Sequence, residues 1–112
     1  MIQFRDTVRI GYFGEELAHV LHHASIWSLA AGKNVYVYSV ADLTHSQGSL
    51  HPYSLALDLD VVGNVRDDLE GLYQHLRRFV RAGYDVVFED NHVHVEFDTH
   101  RIDALAPAKT AV

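Results

Sequence analysis

Apolar residues recur along the chain in two rhythms, one helical and one extended. Between Glu15 and Ala31, the residues Leu17, Val20, Leu21, Ala24, Trp27 and Ala31 stand three or four apart. That spacing predicts an amphipathic helix with its apolar stripe turned inward. Glu15 and Glu16 suit the positive end of its dipole, and Gly32 is a stop signal. A second helix is predicted over 66–82, with Leu69, Leu72, Leu76, Phe79 and Val80 inward, Asp67 and Asp68 at its start and Gly83 at its end. Elsewhere the period is two. "NVYVYSV" is a run of β-branched and aromatic residues, and Leu55, Leu57 and Leu59 alternate with Ala56, Asp58 and Asp60 in a strand core over 55–62. "ADLTHSQG" between them reads as a loop. "YDVVFE" and "HVHVEFD" are joined by Asp90 and Asn91, residue types that tolerate the left-handed conformation of tight hairpins.

The order helix, strand, strand, helix, hairpin predicts an α+β fold, a mostly antiparallel sheet packed against two helices. A chain of 112 residues suits one domain, expected over 1–103. The tail 104–112, "ALAPAKTAV", has no periodicity and is expected to be flexible. An apolar share of 48% with 21% charged residues is that of a folded protein. No apolar run approaches the roughly 18 to 20 residues of a membrane span. "MIQFRDTVRI" lacks the basic and apolar regions of a signal peptide, so cytoplasmic synthesis is expected. A net charge of -6 argues against a nucleic-acid partner.

The absence of cysteine excludes disulfides and thiolate metal sites, so a transition metal here must use nitrogen and oxygen ligands. Nine histidines make their positions worth following. A strand sends His92, His94, Glu96 and Asp98 to one face and Val93, Val95 and Phe97 to the other. A two-residue turn at Asp90 and Asn91 sets Glu89 opposite His92, roughly 5 Å away. If the leucine strand neighbours this hairpin, His51 and Asp58 join His94 on that face. Two imidazoles and a carboxylate with an open fourth position form a catalytic zinc arrangement. The same residues also compose an ordinary solvated sheet face.

"SLHPYSLALDL" resembles the S-x-H-x-x-G-x-A-x-D motif of the LAS zinc metallopeptidases, and "HVHVEF" resembles their closing H-x-H segment. That superfamily includes D-alanyl-D-alanine carboxypeptidases, phage L-alanyl-D-glutamate endopeptidases and, as non-peptidase relatives, hedgehog domains. Ser49, His51, Ala56 and Asp58 fall on motif positions, while Ser54 stands where the family has glycine. "LYQHLRRFVRAGYDVVFEDNHVH" is similar to the hedgehog version of the same region, so the resemblance covers about 35–98.

The resemblance implies a hedgehog/DD-peptidase-like fold with Zn2+ held by His51, Asp58 and His94. It implies Glu89 as general base with Asp90 as alternative, His92 on the oxyanion side, and His45 and Ser49 near the substrate. It also implies peptide stems of bacterial peptidoglycan as substrate, met at the cell wall after lysis or from a phage particle. Asn91 takes the place of the catalytic Asp of some phage endopeptidases. The family's loop arginine, an oxyanion donor, is missing from "YSVADLTHSQG", so His45 or His92 would have to replace it. The alternative within the resemblance is a silent, hedgehog-like zinc module.

The remaining histidines read more plainly. His19, His22 and His23 are expected on a solvated helix surface, and His75 and His100 at the surface. Trp27 and the "VYVY" tyrosines are expected in core and sheet-face packing, and Asp60 at the rim.

Overall fold

The computed structural model describes residues 1–6, 14–44 and 53–98; His45, Ser49, His51, His100 and the tail 104–112 lie outside them. The elements are β1 (Ile2–Phe4), α1 (Gly14–Ala31), β2 (Val35–Thr44), β3 (Tyr53–Val61), α2 (Arg66–Phe79), β4 (Tyr84–Glu89) and β5 (His92–Asp98). They form an α+β fold with a five-stranded mixed sheet in the order β1-β2-β3-β5-β4. Only β1 and β2 run parallel, joined across α1; the other neighbours are antiparallel.

Period-two alternation divides the sheet into two faces. Val35 and Val37, Leu55, Leu57, Leu59 and Val61, and Val93, Val95 and Phe97 are buried together with Leu17, Val20, Ala24, Leu69, Leu72 and Leu76 of the helices. Each of the β3 leucines is at most 1% exposed, which is worth about 1.5–3 kcal/mol per side chain. The helices thus cover one face, and the polar alternates of every strand are left on the other.

Several local features differ from the sequence reading. β1 escapes notice in the sequence because three residues carry no periodicity; pairing Ile2 with Val35 and Phe4 with Val37 is what makes them a strand. β2 runs on to Thr44, so the first half of the expected loop is strand, paired with β3 as far as Thr44↔Tyr53. α2 ends at Phe79 rather than at Ala82. Val80 turns extended to lie against the core, and the next amide, Arg81 N–H, donates to His19 Nε2 at 3.0 Å instead of continuing the helix. Phe79, expected inward, is 48% exposed, and Ala31 is exposed as well. Buried Ser28 takes a place on the α1 stripe because its hydroxyl donates to the Lys33 carbonyl.

The helices meet at Gly71. A Cβ there would stand 3.3 Å from the Trp27 indole nitrogen, so glycine allows the indole to lie against the α2 backbone. Beside this contact the helix histidines are less solvated than the sequence suggests. His19 packs on Tyr84 at 5.2 Å, His23 lies parallel to Phe79 at 6.2 Å, and His75 approaches Phe79 at 4.7 Å. His75 Nε2 is buried with no hydrogen-bond partner. Burial lowers the pKa of all three below the usual histidine value, with Arg81 adding to the effect at His19 and the neighbouring histidines at His23.

Candidate metal centre

The site begins with a register. β5 lies between β3 and β4, so Asp58 pairs with His94 on one side and Val87 pairs with His94 on the other, while Glu89 pairs with His92. Directly paired residues point to the same face, so Asp58, His92, His94 and Glu89 meet on the side of the sheet away from the helices. Two of these alignments, the two-residue turn and the Glu89–His92 pair, are the ones the hairpin signature predicts.

Asp58 Oδ1 lies 2.7 Å from His94 Nδ1 and 3.5 Å from His92 Nε2. The carboxylate of Glu89 stands 4.0 Å from each imidazole. One ligand atom from each of Asp58, His92 and His94 falls within 4.8 Å of the others, and all three residues are half-buried. Glu89, at the end of β4, is more open to solvent. Asp90 is exposed in the turn and takes no part in this cluster.

Hydrogen bonds settle which nitrogens face inward. His92 Nδ1 lies 3.0 Å from Asn91 Oδ1, and its Nε2 faces Asp58. That Nε2 stands 3.5 Å from Asp58 Oδ1. Ligands of a tetrahedral zinc stand roughly 3.3 Å apart, so that separation fits the ion. His94 contacts two acceptors, Asp58 through Nδ1 and Glu96 through Nε2 at 2.9 Å. Burial disfavours its charge, but the bonds to Asp58 and then Glu96 outweigh burial and raise its pKa. With His94 Nδ1 turned to a metal, Glu96 would hold the other ring nitrogen, the carboxylate–histidine support that tunes metal ligands.

His92 is where geometry departs from the ligand set implied by the resemblance. The described residues join His92 to Asp58 and His94, whereas the implied set has His51 in that place. The i, i+2 spacing of His92 and His94 on one strand was the signal for it.

Tyr38 completes the wall. β2 carries a bulge between Val37 and Ser39, where the pairing skips Tyr38. A bulge lets consecutive residues lean to one side. Tyr38 shares the face of Tyr36 by plain alternation, its ring edge-on to His92 at 5.8 Å, and the bulge brings Ser39, paired with Asp58, to that face as well. Burial, then the Asp58, Asp60 and Glu89 charges, raise the Tyr38 pKa and keep it a neutral hydroxyl donor. The two tyrosines are thus not core, and Asp60 accepts hydrogen bonds from Val61 N–H and Asn64 Nδ2, both at 2.7 Å.

Comparison with known protein families and with curated proteins returns no match. No helix among the described residues is long and apolar enough to cross a membrane.

Proposed function

We propose that this chain is a zinc-dependent peptidase of the hedgehog/DD-peptidase type that hydrolyses peptide stems of bacterial peptidoglycan. The observation that carries the reading is the convergence of Asp58, His92, His94 and Glu89 on one sheet face, with His92 Nε2 facing the Asp58 carboxylate. The substrate class comes from the resemblance of "SLHPYSLALDL" and "HVHVEF", which also proposes His51 as a ligand. A bound zinc ion would supply Lewis acidity toward the scissile carbonyl and lower the pKa of a coordinated water to about 7.

The chain's own groups do the rest. Asp58 and His94, with His92 or His51, hold the ion, and Glu96 and Asn91 fix the two imidazoles. Glu89, 4.0 Å from both rings, accepts a proton from the attacking water and passes it to the leaving amine as the C–N bond breaks. Tyr38 offers a neutral hydroxyl beside the same cluster, where the family's loop arginine is missing. Access to the wall would follow lysis or packaging in a virion.

The experiment is zinc analysis followed by digestion of muropeptides. We expect one zinc per chain, cleavage by wild type, and loss of about a hundredfold or more in Glu89→Gln with zinc retained. Stoichiometric zinc without cleavage of any stem peptide rejects the peptidase. The second reading, a silent zinc module, would then stand; it is favoured by the absence of arginine from "YSVADLTHSQG".

A further inference from the structure

Next to the candidate metal centre, a cleft of about 360 Å³ is lined by Arg5, Tyr36, Tyr38, Asp60 and Asn91. Three of its features bear on what it takes. First, Arg5 is positioned rather than merely nearby: its backbone N–H donates to the Val37 carbonyl at 2.9 Å, extending the β1–β2 ladder by one residue. Because Gln3 pairs with Tyr36, alternation puts Arg5 on the same face as the tyrosines. Second, the Tyr36 and Tyr38 rings lie 6.4 Å apart and nearly parallel, 17° between planes, and Tyr38 abuts His92. One aromatic wall therefore runs from the cleft to the metal cluster. Third, the charges are divided. The face away from the helices carries Asp58, Asp60, Asp85, Glu89 and Glu96, and Arg5 is the cation among the cleft's described residues.

We infer that this cleft anchors an anionic group of a peptide ligand, its carboxylate paired with the Arg5 guanidinium and its chain laid along Tyr36 and Tyr38 toward Asp58. The inference rests on the peptidase reading for what happens at the other end. Among the cleft's described lining residues Arg5 is the cation, so its guanidinium is the group there that can pair with a carboxylate. A guanidinium holds a carboxylate through two parallel N–H donors, which fixes orientation as well as position. Asp60 Oδ1 accepts from Val61 N–H and Asn64 Nδ2, which hold that carboxylate at the cleft wall.

Distance narrows the class further. β1 and β3 are two strand spacings apart, roughly 10 Å, and an extended peptide advances about 3.3 Å per residue. A carboxylate at Arg5 thus lies about three residues from a carbonyl at Asp58. The ligand class is a short peptide whose anionic group lies two to three residues from the bond presented at the cluster. This geometry favours cleavage inside a stem over release of its last residue.

The test separates anchoring from catalysis. The pentapeptide L-Ala-γ-D-Glu-L-Lys-D-Ala-D-Ala and its C-terminal amide are titrated into the zinc-free full chain, with binding read from amide chemical shifts. Wild type, Arg5→Ala and Arg5→Lys are compared, and zinc uptake is measured on each to confirm an intact sheet. We expect shifts at Tyr36 and Tyr38, a Kd weakened about tenfold or more in Arg5→Ala, and partial recovery in Arg5→Lys. Equal binding by wild type and Arg5→Ala overturns the anchor and leaves the peptidase reading untouched. Muropeptide cleavage that is indifferent to Arg5→Ala, with no detectable peptide binding, overturns it too. Arg5-dependent binding in a protein that takes up no zinc rejects the peptidase reading while retaining the cleft as a carboxylate site.

Discussion

Two residues differ in what they reveal about the ligand set. Asp58 and His94 are brought together by strand pairing and belong to the proposed ligand set in either form. His92 and His51 are alternatives that substitution can separate. With His92 as a ligand, His92→Ala weakens zinc binding by at least about tenfold, read by competition with a chromophoric chelator. Unchanged affinity would move the third ligand to His51. Asn91→Ala frees His92 Nδ1 and should lower affinity by a smaller factor, since it removes a group that holds the ring rather than a ligand.

At the scale of elements, Asn64 joins two of them. It sits at φ 51°, in the left-handed region, and its amide donates to Asp60 and to the Asn91 carbonyl at 2.9 Å. It thereby ties the turn before α2 to the β4–β5 hairpin. Asn64→Ala should cost about 1–3 kcal/mol in chemical denaturation, from left-handed strain and lost hydrogen bonds. Asn64→Gly should cost less, because glycine accepts the conformation. The helix pair makes a second prediction through pH. His19, His23 and His75 have lowered pKa values, so near and below the usual value of 6.5 the unfolded chain binds more protons than the folded one. Their contribution is full above that pH and declines as pH falls through it. His94, raised, acts in the opposite sense, so the effect is read as a difference between wild type and His75→Leu. The variant should lose less stability than wild type between neutral pH and pH about 5. A parallel pair of stability curves would reject the account.

For the whole molecule, the sheet is an asymmetric layer with helices on one face and the carboxylate–imidazole cluster on the other. If the cluster binds zinc in the folded state alone, zinc at about a hundred times its Kd adds roughly 2.7 kcal/mol. Thermal unfolding should then rise by about 10 °C and fall back on chelation. No shift with zinc would argue that the acidic face holds no ion. The same asymmetry explains the location of Tyr36 and Tyr38. The helices cover only the valine face of β2, and the tyrosines are left to wall the cleft.

Much of this was readable from the chain because periodicity is a local property. Spacings of three and four built both helices, and strict alternation set Leu55, Leu57 and Leu59 inward with Asp58 outward. Turn chemistry at Asp90 and Asn91 aligned Glu89 with His92, all within a few residues. What required the tertiary structure involves pairing between distant segments. The short β1 becomes a strand only beside β2, the Tyr38 bulge shows only against β3, and His19 captures the Arg81 amide across 62 residues. Above all, the placement of β5 between β3 and β4 brings Asp58 to His94. Sequence spacing determines which face a side chain takes; only strand order, chosen by closing the whole core, determines which side chains share it.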